Sequence, residues 1–199
     1  MYCNLMLDRF WQRQIHWLCQ EPDGAWQSGE PVSRILLPGS FNPLHQGHTS
    51  LAELALKRFG VPVAFELSVA NVDKPELPAD ELQRRLEQFR GRHPVYVTRA
   101  RTFRDKATLF PGCVFVVGAD TAVRIVHPRF YDDDERQMLV ALESIRSLGC
   151  RFFVGGRVDA DGRFVDVEGV PIPEAYRELF EGVDEAAFRV DVSSTQLRR

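Results

Sequence analysis

The chain contains no apolar run long enough to cross a bilayer. A membrane-spanning helix needs about 20 consecutive, mostly apolar residues, and charged residues interrupt every hydrophobic segment of this sequence well before that length. The first residues also lack the basic start and the apolar block of a secretory signal peptide. We therefore expect a cytoplasmic protein with no membrane partner.

Cysteine is scarce and scattered. The four cysteines, Cys3, Cys19, Cys113 and Cys150, include no C-x-x-C pair. Closely spaced cysteines are typical of zinc sites, and regular cysteine frameworks are typical of small secreted domains. We therefore expect a reducing compartment and no disulfide or zinc framework. Two of the cysteines fall beside apolar strands and are expected to pack as small apolar residues.

The chain also has no excess of positive charge. Its 25 Lys and Arg face 28 Asp and Glu, which gives a net charge of −3. A protein that binds nucleic acid through its phosphates needs concentrated positive charge, so we expect no nucleic-acid partner. A local basic patch remains as an alternative, formed by four residues: Arg99, Arg101, Arg104 and Lys106.

Strand and helix patterns alternate along the sequence, without repeats or low-complexity tracts. This order, in a chain long enough for one α/β domain, predicts a doubly wound, mostly parallel Rossmann-like sheet. Ligands of such sheets bind beyond the carboxyl ends of the strands. A turn at 159–162 predicts a hairpin. The predicted strands cover 34–37, 61–69, 95–98, 114–117 and 150–154, and the predicted helices cover 47–56, 78–89, 121–126 and 134–142.

The residues before the first of these strands form a separate pattern. Residues 5–19 place apolar side chains at helical spacing and predict an amphipathic helix, which a turn-rich connector follows. We therefore divide the chain into a helix and linker, 1–33, and a main domain, 34–199. The helix is expected to pack on its own domain; self-association as a homo-oligomer and a remnant of a lost domain are the alternatives.

The most informative local feature is the run that leads into His45-Gln46-Gly47-His48. An aliphatic strand, a loop with glycine and proline, and a helix start at Gly47 create a site where unpaired N–H groups and the helix dipole attract phosphate. Gly39 and Ser40 would let the backbone approach an anion, while Phe41 would shape the loop, with only its backbone near a substrate. A zinc pair would need further ligands, and a structural role for the histidines is the other alternative.

This run resembles the first motif of the nucleotidylyltransferase superfamily, G-x-F-x-x-x-H-x-G-H. Residues 192–198, Val-Ser-Ser-Thr-Gln-Leu-Arg, resemble its second motif, I-S-S-T-x-x-R, with valine for isoleucine. The resemblance covers roughly residues 34–199 and implies a nucleotidylyltransferase fold of the HUP type. It also implies that His48 donates to the α-phosphate of a nucleoside triphosphate, that His45 assists, and that Arg198 holds the leaving pyrophosphate.

Further site residues follow from the same resemblance. Ser193, Ser194 and Thr195 would cap a last helix and bind the β- and γ-phosphates. Gly118 and Asp120, in a G-x-D at the end of a buried strand, would contact the ribose or the second substrate, unless Asp120 only caps a helix. Lys74 would meet the acceptor's phosphate, unless it is a solvated surface lysine.

The implied reaction is the in-line attack of an acceptor phosphate on the α-phosphorus of ATP or another triphosphate, with release of pyrophosphate. Mg²⁺ would arrive with the triphosphate, bound largely by phosphate oxygens and water, so we name no protein ligand for it. The acidic run 132–135 is expected to supply a helix N-terminus rather than a metal site.

The acceptor is less well defined by the sequence. The chain is most similar to nicotinate or nicotinamide mononucleotide adenylyltransferases of NAD biosynthesis, through G-S-F-N-P and G-A-D. It departs from them at 101–109, where they carry a Y-T-x-D-T-L-like segment, and at 125–128, where they tend to carry a tryptophan. It also resembles a branch that some eukaryotic proteins fuse to a competence-damage-type domain. The alternatives are transfer from ATP or CTP to another small phosphate, such as phosphopantetheine, and a non-catalytic nucleotide-binding module.

Overall fold

The computed structural model describes residues 2–29, 31, 34–70, 75–158 and 164–183. Lys74 and the second motif, with Ser193, Ser194, Thr195 and Arg198, lie outside the described residues, as does the turn at 159–162. Among the residues described, no helix combines the length and the apolar character that a membrane span requires.

In the described part of the chain, eight strands form one sheet and two further strands form a hairpin. The sheet order is β10-β7-β6-β3-β4-β5-β1-β2, and β3–β7 and β10 run parallel to one another. The predicted hairpin is β8 with β9. The strands are β1 (Trp17–Gln20), β2 (Trp26–Gln27), β3 (Ile35–Pro38), β4 (Ala64–Ser68), β5 (Val95–Thr98), β6 (Val114–Gly118), β7 (Arg151–Gly155), β8 (Arg157–Val158), β9 (Phe164–Val165) and β10 (Phe180–Gly182).

Helices cover both faces of the sheet. Alternate residues of β3 point into two buried clusters: Ile35 and Leu37 join α1–α3, whereas Leu36 joins α4–α6. The predicted doubly wound α/β fold is therefore confirmed. The helices are α1 (Tyr2–Trp11), α2 (Gln46–Phe59), α3 (Ala79–Leu86), α4 (Phe103–Leu109), α5 (Ala119–Ile125) and α6 (Glu135–Ser147), with 3-10 turns at Glu87–Phe89, Pro128–Tyr131, Val167–Gly169 and Glu174–Leu179.

The strand order reverses direction beside β3. From β3 the chain continues to β4 and β5 on one side, and then to β6 and β7 on the other. At such a switch point the connections leave in opposite directions and open a crevice at the carboxyl ends of the two central strands. The β3–α2 loop, residues 39–45, and Gly118 at the end of β6 therefore border the same crevice.

The helix predicted over residues 5–19 is wrong beyond Trp11. The chain turns at Arg13, whose φ is +61°, and Trp17–Gln20 become β1, antiparallel to β5. Leu18 and Cys19 are both fully buried, which suits a strand that is covered on its two faces and overrides the helical spacing. Segment 1–33 is thus more than a helix and linker, although a domain boundary at residue 34 stays a prediction.

Two smaller expectations are met near the core. Phe10 of α1 is fully buried, in the cluster that includes α2 and α3, so this helix packs on its own domain. Cys19, Cys113 and Cys150 are free and buried, and burial, with the nearby Glu21 charge, raises the pKa of the Cys19 thiol to about 12.

Candidate active site

Phe41 shapes the β3–α2 loop from within. Its φ of +45° lies in the left-handed region, and its ring is fully buried, edge-on to Phe65 and Phe89 at centroid distances of 5.3 and 5.1 Å. The predicted wedge is confirmed, whereas the contact of its backbone with a nucleotide stays a prediction.

Gly39 is required by this ring. A Cβ at Gly39 would lie 2.6 Å from Cε1 of Phe41. We expected the missing side chain to leave room for an anion, but the aromatic ring fills that room instead. The Gly39 N–H donates to the carbonyl of Glu66 at 2.9 Å. A nucleotide contact of Gly39 or Ser40 remains a prediction.

The two motif histidines lie together at the start of α2. His45 is the N-cap, with φ −145° and ψ 169°, so the helix begins one residue before the predicted Gly47. The imidazole rings of His45 and His48 stack at a centroid distance of 3.8 Å. The positive end of the α2 dipole lies at this helix start, so both rings stand where an anion is attracted.

The hydrogen bonding of His48 defines its protonation state. The backbone N–H of His45 donates to Nδ1 of His48 at 3.3 Å. Neutral His48 therefore carries its proton on Nε2, which is a donor. Burial, with a smaller effect of the His45 charge, lowers the pKa of His48 to about 4, and burial also lowers the pKa of His45. Both rings are thus neutral donors near pH 7.

A second predicted element ends at the same crevice. Gly118 is the N-cap of α5, and its strand β6 is paired with β3. Asp120, in the first turn, does not cap the helix with its side chain; its Oδ1 accepts from Nε of Arg157 at 2.8 Å. A Cβ at Gly156 would collide with Phe164 at 2.2 Å, so this glycine lets the hairpin fold back and place Arg157 there.

Sequence reasoning missed a buried polar network beside the loop. Lys106 Nζ on α4 donates to both carboxylate oxygens of Glu66 on β4, at 2.8 and 2.7 Å. The Thr98 hydroxyl on β5 donates to Oε1 of Glu66 at 2.5 Å. The only signs of this network in the sequence were a glutamate inside an apolar strand and a lysine among apolar helix residues. Of the four residues of the basic patch left open at 99–106, Lys106 is buried and Arg99 pairs with Glu76, while Arg101 and Arg104 are exposed.

The acidic run at 132–135 behaves as predicted. Asp134 caps α6, and its Oδ1 accepts from the N–H groups of Arg136 and Gln137 at 2.8 and 3.3 Å. Within the described ranges, no three His, Cys, Asp or Glu side chains are grouped to hold a metal ion. The described residues therefore bring together the histidine loop and the 118–120 segment, while the predicted roles of Lys74, residues 193–195 and Arg198 stay predictions.

Comparisons with known proteins show the family of the chain. Residues 36–199 match the model of the cytidylyltransferase-like family. The chain is 36% identical over 110 residues to a probable nicotinate-nucleotide adenylyltransferase of Roseobacter denitrificans, covering 47% of this chain and 54% of that protein. It is 42% identical over 101 residues to one of Cereibacter sphaeroides, covering 43% and 53%.

The chain spans about half the length of these curated relatives. The family match is broader: it runs from β3 to the last residue and includes both sequence motifs. The predicted membership of the nucleotidylyltransferase superfamily is confirmed, and the chain belongs to the cytidylyltransferase-like family.

Proposed function

We propose that the protein is a nucleotidyltransferase that transfers AMP from ATP to a small phosphorylated acceptor and releases pyrophosphate. The observation that carries the proposal is the stacked pair His45 and His48 at the N-terminus of α2, beside the switch-point crevice. Membership of the cytidylyltransferase-like family supports the same reaction class.

The reaction needs hydrogen-bond donors to the phosphates rather than a protein nucleophile. The acceptor phosphate is already anionic, so catalysis consists of alignment and of stabilising the charge on the phosphoryl oxygens. Nε2–H of neutral His48 donates to the α-phosphate, and His45 with the α2 N–H groups binds the neighbouring phosphates. In this proposal Arg198 and the hydroxyls of residues 193–195 hold the pyrophosphate.

Mg²⁺ would enter with the triphosphate. It would be held mainly by phosphate oxygens and water. The ion would neutralise phosphate charge, while the protein's own contribution is the fixed set of neutral and cationic donors.

For the acceptor we propose a pyridine mononucleotide. The curated relatives carry the name nicotinate-nucleotide adenylyltransferase. Lys74 is the candidate for binding the acceptor's phosphate, and Asp120 is the candidate for contacting the ribose or the acceptor. A different small phosphate, with ATP or CTP as donor, is the second candidate. It is favoured by Lys106, which lies in segment 101–109, where the chain differs from the pyridine-nucleotide enzymes, and which pairs with buried Glu66 on β4.

A pyrophosphate-release screen tests the proposal. ATP and CTP are each combined with nicotinate mononucleotide, nicotinamide mononucleotide, phosphopantetheine, flavin mononucleotide and phosphocholine, with the His48→Ala variant as a control for contaminating activity. We expect ATP with a pyridine mononucleotide to release pyrophosphate. Pyrophosphate release with another acceptor selects the second candidate. No pyrophosphate release with any donor and acceptor contradicts the enzymatic proposal.

A further inference from the structure

Gln88 lies against the β3–α2 loop, in the 3-10 turn that follows α3. Its amide spans the loop: Nε2 donates to the carbonyl of Phe41 at 2.9 Å, and Oε1 accepts from the N–H of Leu44 at 2.8 Å. Nε2 also donates to the carbonyl of Arg85 at 3.1 Å, which fixes the orientation of the amide. One side chain therefore sets the spacing between two loop residues just before His45.

Neighbouring side chains of α3 hold the same loop. Arg85 Nη1 donates to the carbonyl of Ser40 at 2.9 Å, and Arg84 Nη2 donates to Oδ1 of Asn42 at 2.7 Å. Glu81 accepts from both arginines and keeps them in place. The carbonyls of Ser40 and Phe41 are thus both bonded to the α3 side.

This bonding has a consequence for anion binding. Helix α3 connects β4 to β5, which lie on the side of β3 opposite to β6 and the crevice. A loop that binds phosphate through N–H groups must turn its carbonyl oxygens away, because these would repel the anion. In addition, the left-handed Phe41 conformation is unfavourable in a non-glycine residue and persists only where its surroundings hold it.

We propose that Gln88 is a positioning residue: it fixes the β3–α2 loop and thereby places the imidazoles of His45 and His48 for phosphoryl chemistry. The role in turnover rests on the nucleotidyltransferase function proposed above. The effect on the imidazoles does not, and can be measured without substrate.

The test compares Gln88→Glu with Gln83→Glu in the full chain. The first change keeps the shape and the acceptor for Leu44 but replaces the donor to Phe41 by a repelling carboxylate oxygen. The second makes the same change at an exposed residue of α3. Gln88→Met, which is uncharged and neither donates nor accepts strongly, is measured beside them in case the carboxylate prevents folding.

We expect the Gln88 variants to lower kcat by about tenfold to a hundredfold, since small misplacements of reacting groups have effects of this size, with KM for ATP changed less than threefold. The ring resonances of His45 and His48 should move in NMR spectra, and those of exposed His16 should stay. Gln83→Glu should match the wild type. Unmoved imidazole resonances in the Gln88 variants, or equal losses in Gln83→Glu, overturn the proposal. If the wild type shows no turnover, the proposed function fails and the resonances alone decide on Gln88.

Discussion

His48 combines a defined hydrogen bond with a half-buried position. Its Nδ1 accepts from the His45 N–H, and its ring stacks on the His45 ring and packs at a steep angle to the Phe41 ring, with 5.1 Å between the centroids of His48 and Phe41. The imidazole therefore stays neutral near pH 7 and does not act as a cation. It acts as a neutral donor whose direction is set before the substrate binds.

Replacing His48 by alanine removes that donor. We expect turnover to fall by about a hundredfold or more, as for other single donors to a developing charge, while circular dichroism shows a folded chain. His16→Ala is the matched control, because His16 is exposed. Turnover close to that of the wild type in His48→Ala would contradict the assignment.

The lowered pKa of His48 predicts a pH dependence of stability. Its pKa falls from 6.5 in the unfolded chain to about 4 in the folded one, so between these values the unfolded chain binds more protons at this residue. The contribution of His48 to the free energy of unfolding is complete above about pH 6.5 and declines as the pH falls toward 4.

Urea unfolding at pH 7.5 and pH 5 checks this sign. The wild type should lose more stability than His48→Asn, which has no titrating ring at this position. An equal loss in both proteins, or a wild type that gains stability on acidification relative to the variant, would contradict the prediction.

The Glu66–Lys106–Thr98 network holds three elements in register, β4, β5 and α4. Lys106 Nζ also donates to the carbonyl of Ala100 at 3.2 Å, so the network extends to the chain that leaves β5. Because the Gly39 N–H bonds to the backbone of Glu66, the network supports the start of the β3–α2 loop as well.

Breaking one side of this buried pair should be costly. Lys106→Met leaves the Glu66 carboxylate buried without its cation, and we expect a loss of about 3–5 kcal/mol in the free energy of unfolding. The double variant Glu66→Met/Lys106→Met should recover most of it. Arg90→Met, in the exposed pair with Glu87, should cost about 1 kcal/mol or less. Chemical denaturation measures all three, and equal effects of Lys106→Met and Arg90→Met would argue against a structural role for the network.

Elements differ in how far the sequence predicts them. The β3–α2 unit is local, so an aliphatic run, a glycine-bearing loop and a histidine-capped helix indicated it directly. Lys106 was expected in a surface patch but is buried, because its contact is not local in sequence. A capping box of Thr102 with Asp105 starts α4, and this start brings Lys106 to Glu66 on β4. Gln88 was missed for the same reason, since its targets are backbone groups 44 and 47 residues away.

The sheet as a whole places the site. Its switch point beside β3 brings residues 39–48 and 118–120 to one crevice, and this follows from the βα order that the sequence shows. Strand β1 could not be predicted in the same way. Its four residues form a strand because β5 offers an open edge, and that pairing spans more than 70 residues of sequence.

Removing residues 1–33 tests whether β1 belongs to the folding unit. The buried strand β5 would become an unprotected edge, and fully buried Phe10, Leu18 and Cys19 would be lost from the core. We expect the truncated chain to aggregate or to melt at a lower temperature, because open apolar edges pair with one another. A monodisperse truncated protein with an unchanged melting temperature would show that residues 34–199 fold alone.

The central claim is that the stacked histidines at the start of α2 receive the phosphates of a nucleotide. The most direct measurement is a titration of the histidine-labelled protein with the non-hydrolysable analogue α,β-methylene-ATP, followed by NMR. We predict that the His45 and His48 ring resonances shift together and saturate at one dissociation constant, while His16 stays unchanged. Binding of the analogue without any shift of these two rings would contradict the claim.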